Sequence, residues 1–542
     1  MLTPILIGLA AGQAAPTKIG IFDLQAIRSV PMNVEVVKKT ESNGVITEEI
    51  RFTGVPGVRS FAYFCYPKGG KKLPTNIAIR NYGAEARQDE AMTGFASWSV
   101  CAPEGNTDTT KKLTVGGARN TEAEQFTEDP NKSWVYQHVV SQLRGLDYLA
   151  TRPEVDLKRV VVQGFSWSGY VGALWHAIDN RPVCYVTWNS TGYFADINGV
   201  SGDRKSRISR KLYEMYGPSY YAQYGTSPIF VGNALTDYFA TLDGSIEMYR
   251  KLRSPKRFVY APNRYHADTS RKEYGSSGAY MWQFQGNGPT GPEVNEGTVE
   301  NVSGKLVYKF TIDGSVKPER AEVMFSYGAP GNWTGRTWHR RPATFSGGAY
   351  VCQIPVYDAS VPLYAVAQIE TKAFKASGNC PQFVDPRRLG ISAPTAEYPK
   401  MLLDFEDKSD LYVSTGDVAF VDESISGKVA AQITPTVDGT PHLANIEPFL
   451  WKNAKELRFW LKGDGKPGPV SLYLTWNTNY TLEKPMNNYV HLPIVPAGGT
   501  FKEGWQEFTI PIERIPNMMK VDALYFEVPS GRKLTIDGVR WQ

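Results

Sequence analysis

One segment restricts the possible folds of this chain more than any other. Residues 160–169 read VVVQGFSWSG, a β-branched run that ends at Gly164 and leads through Ser166 into a stretch with helical periodicity. Small residues stand two positions before and two after the serine, at Gly164 and Ser168, as a tight turn requires where strand and helix pass closely. The segment therefore predicts a strand, a sharp turn that presents Ser166, and a helix.

The region around this segment, from about 55 to 290, alternates short apolar runs with helix-like segments. The runs are nearly continuous in apolar residues, as expected of strands that helices cover on both faces. In chain order they read FAYFCYP, NIAIRNYG, RVVVQGF, VCYVTWNS, PIFVGNAL and RFVYAP. This pattern predicts the α/β class, with a largely parallel sheet.

The pattern changes at about 296, where period-two strands with Gly and Pro turns begin. A first all-β zone fits a β-sandwich, and a second one, after ISAPTAEYPK, has the strand spacing of a jelly roll. Because 542 residues are too many for a single core, we expect several units. The predicted boundaries are a signal peptide at 1–15, an α/β domain at 16–290, a β-sandwich at 291–385 and a jelly roll at 386–542.

Composition and charge exclude several classes of protein and partner. The chain has 42% hydrophobic and 21% charged residues, typical of a globular protein rather than a membrane-spanning, disordered or collagen-like one. A net charge of +5 is too dilute over this length to favour nucleic acid. We therefore expect no nucleic-acid partner and no membrane span, while the oligomeric state stays open.

The first residues and the cysteines bear on the compartment. Residues 1–18 combine about ten apolar residues with small residues at Gly12 and Ala14, a pattern typical of a secretory signal. This predicts a secreted or periplasmic protein, the alternative being a disordered or strand-forming start. Five cysteines without CxxC spacing suggest no zinc site. In an exported chain Cys352 and Cys380 could pair, although their spacing does not establish it.

A serine at such a turn becomes a nucleophile when an acid and a histidine follow later in the chain, at strand ends. Asp237 follows the strand PIFVGN, and His266 follows the strand RFVYAP. The other five histidines precede the serine, follow it too closely, or fall in the all-β zones. Ser166, Asp237 and His266 therefore form the candidate triad, with Asp243 as the alternative acid.

The oxyanion of an acyl-transfer reaction needs backbone N–H donors, one of them from the residue after the serine. We assign Trp167 N–H as this donor and Tyr82 N–H, at the end of the strand NIAIRNYG, as the second. Tyr238 and Trp188 stand near strand ends and are predicted to line the substrate pocket, although each could equally belong to the core.

These residues resemble the α/β-hydrolase superfamily, in particular the acetyl xylan esterase and cephalosporin C deacetylase group. Residues 145–169 are similar to that group's helix, linker and nucleophile strand, and RNYG at 80–83 stands in the place of its HGYG oxyanion motif. The stretch FVYAPNRYHAD, followed by a β domain, also resembles the PhoPQ-activated pathogenicity-related hydrolases. The resemblance implies an α/β-hydrolase domain followed by two all-β domains, with the same triad and Tyr82 as an oxyanion donor.

The last zone opens with LLDFED and closes with LTIDGVRW, which resembles the first and last strands of a carbohydrate-binding jelly roll. In such modules these strands often lie side by side and share a structural calcium, a cation that needs several oxygen ligands. The resemblance assigns Glu406 and Asp537 to this calcium, the alternative being two ordinary solvated acids.

The sequence thus favours a secreted serine esterase that deacylates a polysaccharide or oligosaccharide ester, in the manner of an acetyl xylan esterase. Three alternatives stay open: a glucuronoyl or feruloyl esterase, a serine peptidase with an α/β-hydrolase and a jelly roll, and a non-catalytic glycan-binding protein. We expect no cofactor for catalysis, because the chain has neither a nucleotide-binding glycine loop nor an HExxH motif.

Overall fold

The computed structural model describes most of the chain. The described residues are 17–105, 107–108, 110–191, 210–237, 239–264, 266, 271–286, 288, 291–313, 317–331, 333, 335–406, 418–436, 442–447, 453–476, 489–496, 498–516 and 521–542. The predicted signal peptide at 1–15 and the pocket residue Tyr238 lie outside this part of the chain.

An α/β unit occupies the first half of the chain and is built on one sheet. A short ribbon, β1 (Lys18–Ile19) and β2 (Phe22–Asp23), precedes it. The sheet strands are β3 (Glu35–Ser42), β4 (Val45–Thr53), β5 (Arg59–Pro67), β6 (Leu73–Ala78), β7 (Ala96–Val100), β8 (Val155–Phe165), β9 (Cys184–Trp188), β10 (Ile229–Ala234) and β11 (Lys256–Ala261). The helices are α1 (Leu24–Ser29), α2 (Gln88–Met92), α3 (Glu122–Gln125), α4 (Trp134–Leu149), α5 (Trp167–Ile178), α6 (Arg210–Tyr216), α7 (Pro218–Tyr221), α8 (Leu242–Lys251) and α9 (Arg271–Gln285).

The order of the strands brings the site residues to one edge of this sheet. The order is β11-β10-β9-β8-β6-β7-β5-β4-β3, in which β6 to β11 pair in parallel and β3 to β5 form an antiparallel extension. Because the carboxyl ends of parallel strands share one edge, the turns after β6, β8, β10 and β11 meet there. The largely parallel α/β sheet is the one that the sequence predicts.

Burial on both faces explains the continuous apolar runs. The central strand β8 has Val160, Val161 and Val162 fully buried, between α4 and α5 on one side and α9 on the other. Alternation along a strand sends successive side chains to opposite faces, so a strand that helices cover twice has no polar face.

A middle β unit follows, with two larger antiparallel sheets and a two-stranded antiparallel ribbon formed by its first and fourth strands. Its strands are β12 (Glu293–Val294), β13 (Thr298–Val302), β14 (Lys305–Phe310), β15 (Ile312–Asp313), β16 (Arg320–Tyr327), β17 (His339–Pro342), β18 (Thr344–Ser346), β19 (Ala349–Ile354), β20 (Leu363–Glu370), β21 (Lys375–Ser377) and β22 (Gln382–Val384). One sheet has the order β13-β14-β19-β18, and the other the order β17-β16-β20-β21, with β22 also on β20. Besides its own core, this unit contributes Met324, Trp333, Trp338, Tyr364 and Val366 to the core of the α/β unit.

A C-terminal β unit completes the described chain. Its strands are β23 (Met401–Leu403), β24 (Val418–Val421), β25 (Ala430–Ile433), β26 (His442–Asn445), β27 (Glu456–Lys462), β28 (Val470–Trp476), β29 (Tyr489–Ile494), β30 (Trp505–Pro511), β31 (Val521–Glu527) and β32 (Leu534–Trp541). They form two antiparallel sheets, β24-β25-β32-β27-β30 with β23 on β32, and β26-β31-β28-β29. The first and last strands, β23 and β32, are paired neighbours. The expected fold class, an α/β unit followed by all-β units, is confirmed.

The five cysteines all lie in the described residues, and none forms a disulfide. Cys352 is buried in the core of the middle β unit, and its Sγ lies 3.8 Å from the carbonyl of Arg341. The suggested pairing of Cys352 with Cys380 is therefore wrong for this structure. Within the described residues, no helix combines the length and the apolar character needed to cross a membrane.

Candidate active site

Ser166 lies at a strained turn between β8 and α5. Its backbone has φ 60° and ψ −127°, a conformation that residues other than glycine rarely adopt. Its N–H donates to the carbonyl of Trp188 at 2.8 Å, which ties the turn to β9. A Cβ at Gly164 would lie 2.3 Å from the carbonyl oxygen of Ser168, and a Cβ at Gly169 would lie 2.8 Å from that of Trp188. Glycine at these two positions is what lets the turn close.

Ser168, where the turn pattern usually has glycine, has a bonding role of its own. Its Oγ accepts a hydrogen bond from Phe165 N–H at 2.9 Å and donates one to Phe165 O at 2.7 Å. Its N–H donates to Oδ1 of Asn81 at 2.6 Å. The serine thus closes the turn through its side chain and fastens it to the loop after β6.

The structure brings Ser166, His266 and Asp237 into one hydrogen-bonded row. Ser166 Oγ lies 2.5 Å from His266 Nε2, and His266 Nδ1 lies 2.9 Å from Asp237 Oδ2. Asp237 is fully buried, and its Oδ1 accepts backbone N–H groups from Phe239 at 2.6 Å and Ala240 at 2.9 Å. This carboxylate is therefore held in one orientation, aimed at the imidazole.

The imidazole of His266 is enclosed but reachable, with 15% of its side chain exposed. Its ring packs between two phenylalanines, with centroid distances of 5.7 Å to Phe165 and 5.1 Å to Phe239. Asn189, just after β9, donates from Nδ2 to the carbonyl of His266 at 2.8 Å and accepts from Ala234 N–H at 2.9 Å. Packing and backbone bonds together fix the position of the ring beside the serine.

The alternative acid, Asp243, lies elsewhere. It belongs to the first turn of α8, and its Oδ2 accepts a hydrogen bond of 2.5 Å from Trp333 Nε1. The geometry therefore places Asp237, and not Asp243, against His266.

The two proposed oxyanion donors belong to the segments that follow β8 and β6. Trp167 is the first residue of α5 and follows Ser166 directly, so its backbone N–H is adjacent to the nucleophile in the chain. Its ring packs among aromatic side chains, at 5.1 Å from Phe239 and 5.5 Å from Trp134. Tyr82 lies in the loop after β6; the residue is 63% exposed, and its carbonyl accepts from Ala102 N–H. The backbone of Tyr82, rather than its ring, is thus fixed in place.

A cavity of about 530 Å³ adjoins this turn. It extends from the loop after β6, past Gly164 and Phe165, to α9. The predicted pocket residue Trp188 lines it, together with Tyr82 and Tyr274. The cavity also has Arg80 and Arg87 in its wall, each ion-paired to a neighbouring glutamate.

The residues assigned to calcium, Glu406 and Asp537, already have backbone partners. Asp537 accepts N–H groups from Ile425 and Ser426 at 2.7 and 2.8 Å, and Glu406 Oε1 accepts from Lys428 at 2.5 Å. Burial, with the nearby charge of Glu406, raises the pKa of Asp537. In the described part of the chain no group of three or more His, Cys, Asp or Glu is placed to hold a metal ion. Calcium takes about six to eight oxygen ligands, more than these two carboxylates supply, and the ion stays a prediction that has no part in the proposed reaction.

Three asparagines near the site were not predicted from the sequence. Asn81, Asn189 and Asn263 each follow a strand, and their side chains bond the backbone of the serine turn, the histidine or the middle β unit. Asn189 and Asn263 have φ of 47° and 49°. An asparagine directly after a buried strand is a signal for such a turn, since its side chain bonds backbone groups and tolerates positive φ.

Comparison with known proteins finds similarity at the level of structure. No protein-family model matches the chain, and no curated protein matches it. An acetyl xylan esterase from a Paenibacillus species is 17% identical, covering 48% of this chain and 92% of its own, with a TM-score of 0.40.

Two further solved structures show similarly low sequence identity to this chain. Acetyl xylan esterase 1 from a Thermoanaerobacterium species is 18% identical and covers 48% of this chain and 90% of its own, with a TM-score of 0.42. An acylaminoacyl peptidase from Pyrococcus horikoshii is 16% identical and covers 43% of this chain and 38% of its own, with a TM-score of 0.33. These similarities are distant ones to proteins of the α/β-hydrolase fold and extend over about half of this chain.

Proposed function

We propose that the protein is a serine carboxylic-ester hydrolase that removes acyl groups, typically acetyl, from a polysaccharide or oligosaccharide. The observation that carries the proposal is the hydrogen-bonded row of Ser166, His266 and Asp237 at the carboxyl edge of the sheet. Three residues that lie 71 and 29 positions apart along the chain meet at hydrogen-bond distance, in the arrangement that serine nucleophiles require.

The first half of the reaction acylates the serine. His266 Nε2 takes the proton of Ser166 Oγ as this oxygen attacks the ester carbonyl, and Asp237 stabilises the imidazolium that forms. The tetrahedral oxyanion is held by the N–H groups of Trp167 and Tyr82. The intermediate collapses when the C–O bond to the sugar breaks, and His266 donates its proton to the departing sugar oxygen.

The second half of the reaction returns the enzyme to its starting state. A water molecule gives its proton to His266 Nε2 and attacks the acyl carbon, forming a second oxyanion at the same two N–H groups. Breakage of the bond to Ser166 Oγ releases the carboxylic acid, and the histidine proton returns to the serine. Each turnover thus converts one ester and one water into one alcohol and one acid.

The cavity beside the turn supports a carbohydrate substrate. The residues of its wall include Tyr82, Trp188 and Tyr274, and aromatic rings with a polar edge suit the faces of sugars. Trp188 is 3% exposed and packs against the exposed Tyr274 with ring centroids 5.3 Å apart, so it supports that ring at the cavity wall. A cavity of about 530 Å³ has room for a small oligosaccharide unit.

The test is acetate release from acetylated xylan by the wild-type protein and by Ser166→Ala. Ser141→Ala is the matched control, because Ser141 is also a buried serine and is bonded to Ser60 on β5, which six steps of the strand order separate from β11 and the histidine turn. A methyl glucuronoyl ester, a feruloyl ester and an aminoacyl amide are assayed in parallel, with labelling by a fluorophosphonate.

Acetate release by the wild type and by Ser141→Ala, but not by Ser166→Ala, is the expected result. Cleavage of only one of the other substrates would keep the nucleophile and change the bond that is cleaved. Glycan binding without any fluorophosphonate labelling of Ser166 would overturn the proposal in favour of a non-catalytic binding protein.

A further inference from the structure

We propose that the middle β unit positions the histidine of the site, with Asn263 as the positioning residue. The inference rests on the proposed function, since it concerns the same row of side chains. It assigns to the middle β unit a part in the reaction, beyond that of a spacer or a glycan-binding module.

The clearest contact joins Asn263 to Trp338 across 75 residues of sequence. Asn263 Nδ2 donates to the carbonyl of Trp338 at 2.9 Å, and Trp338 N–H donates to Asn263 Oδ1 at 2.7 Å. The side-chain amide of Asn263 thus forms a donor and an acceptor bond with the backbone of Trp338, as the backbone of a neighbouring strand would. Asn263 is 3% exposed and Trp338 is fully buried, so water does not compete for these bonds.

Asn263 stands three residues before His266, in the turn that follows β11. Its φ of 49° directs the chain out of the strand toward the serine. On the other side of the turn, Thr236 Oγ1 donates to the carbonyl of Arg264 at 2.7 Å. The loop that carries the histidine is therefore held from two directions, by the β10 turn of its own unit and by the middle β unit.

The middle β unit also covers the edge of the sheet from which this loop emerges. β11 is the last strand of the sheet, and an edge strand leaves backbone groups unpaired. Ser377 Oγ accepts from Tyr260 N–H at 3.2 Å, Asn379 Oδ1 accepts from Phe258 N–H at 3.0 Å, and Gln368 Nε2 donates to Tyr260 O at 2.7 Å. Side chains of the middle β unit thus replace the missing neighbour strand.

A third contact lies near the loop of the acid. Trp333 donates to Asp243 at the start of α8, six residues after Asp237. The guanidinium of Arg336 lies 4.3 Å from the centre of the Trp333 ring, and burial lowers the pKa of Arg336 to about 10. Arg336 also donates to the carbonyls of Tyr327 and Gly331 at 3.1 and 3.0 Å, so the tryptophan is fixed from within its own unit.

These contacts hold the turn that carries His266 and lie near the loop that carries Asp237, and both side chains must be aligned for the proton transfer from Ser166. Misplacement of a reacting group by about 1 Å lowers the rate by on the order of 100-fold, even when the substrate still binds. Loosening the turn before His266 should therefore lower kcat and leave KM nearly unchanged, since Asn263 and Trp338 are both buried and neither is in reach of a bound substrate.

The test is Asn263→Gly in the full-length protein, assayed on 4-nitrophenyl acetate. Glycine keeps the positive φ but removes both bonds to Trp338, so backbone strain does not confuse the result. The matched control is Asn301→Gly, which also removes two side-chain bonds, to Leu389 O and from Gly304 N–H, within the middle β unit. Thermal unfolding and the rate of fluorophosphonate labelling are measured on all three proteins.

We expect Asn263→Gly to lower kcat and the labelling rate by ~10- to 100-fold with KM within about twofold, while Asn301→Gly resembles the wild type. A wild-type kcat in folded Asn263→Gly overturns this inference alone. Absence of hydrolysis and labelling in the wild type overturns the proposed function and, with it, this inference.

If Asn263→Gly does not fold, Ser377→Ala is assayed in its place. This variant removes one hydrogen bond from the middle β unit to β11, at the edge of the sheet from which the histidine turn emerges. A fall in kcat of about threefold or more at unchanged KM supports the inference, and a wild-type kcat overturns it.

Discussion

The indole Nε1 of Trp333 donates a hydrogen bond of 2.5 Å to the carboxylate of Asp243. This bond gives the second acidic residue after β10 a partner in the middle β unit, whereas Asp237, six residues earlier, lies 2.9 Å from His266. The two carboxylates, of which the sequence favours Asp237 and keeps Asp243 as the alternative, thus have different tertiary partners, one facing the imidazole and the other facing an indole.

Substitution of these two acids should have unequal effects on catalysis. Asp237→Asn removes the carboxylate that orients His266 and stabilises its charge, and we expect kcat to fall by roughly 10³- to 10⁴-fold. Asp243→Asn keeps an oxygen that can accept from Trp333, so its kcat should fall by less than about fivefold. Hydrolysis of 4-nitrophenyl acetate by both variants measures this. Equal losses in the two variants would contradict the assignment of the acid.

The role assigned to Tyr82 is a property of its backbone and can be tested as such. Tyr82→Pro removes the N–H that we propose for the oxyanion, and loss of one such donor lowers kcat by ~10²- to 10³-fold. Tyr82→Ala keeps the N–H and removes the ring of a residue that is 63% exposed, so the loss of kcat should be much smaller. Pre-steady-state acylation with 4-nitrophenyl acetate compares the two, and similar acylation rates would assign the second donor to another residue.

The parts of the site that the sequence predicted are those that depend on local pattern and topology. Ser166 stands at a strand–turn–helix whose small residues are visible in the sequence, and Asp237 and His266 each follow a buried strand. Parallel strands bring such positions to one edge, so their meeting needs no knowledge of distant contacts.

The parts that were not predicted depend on contacts between distant residues. The pairing of Asn263 with Trp338 joins two units across 75 positions, and neither residue belongs to a pattern that signals the other. The state of Cys352 and Cys380 also depends on distant contacts. Their nearness in sequence does not show that Cys352 lies on β19 and Cys380 in the loop between β21 and β22, or that they remain unpaired. Predicting these contacts requires the packing of the middle β unit on the α/β unit.

A buried ion pair in the α/β unit should make stability depend on pH. Glu48 is buried, which by itself would raise its pKa, but hydrogen bonds from Arg152, Tyr66 and Lys39 outweigh burial and lower the pKa to about 2. Arg152 Nη1 lies 2.7 Å from Glu48 Oε2. A carboxylate whose pKa is lower in the folded state stabilises it above the unfolded pKa of about 4.5, by about 3 kcal/mol.

This stabilisation should be complete at pH 7 and should disappear as the pH falls from about 4.5 to about 2. Glu48→Gln should therefore unfold at lower urea concentration than the wild type at pH 7, with a difference that shrinks toward pH 3. The control is Glu41→Gln, whose exposed pair with Lys68 at 2.8 Å should contribute less than about 1 kcal/mol. A constant difference between Glu48→Gln and the wild type from pH 7 to pH 3 would contradict this pH dependence.

The cavity beside the serine turn can be tested by filling it. Ser277 lies on α9 in the wall of the cavity and is 6% exposed, so Ser277→Phe places a ring where we expect the sugar. Because 4-nitrophenyl acetate needs only the serine turn and the oxyanion donors, its kcat/KM should change by less than about threefold. For an acetylated xylo-oligosaccharide, KM should rise by roughly 10-fold or more, which corresponds to about 1.4 kcal/mol of lost binding.

Gly278→Phe is the matched control for this experiment. Gly278 is the next residue on α9, no atom lies within 4 Å of a Cβ placed there, and it is absent from the cavity wall. The same ring at this position should leave KM for both substrates near the wild-type value, since it points to open space. An unchanged KM for the oligosaccharide in Ser277→Phe, with acetate still released, would show that the sugar lies along another path to Ser166, and equal increases in both variants would indicate damage to α9 rather than a filled cavity.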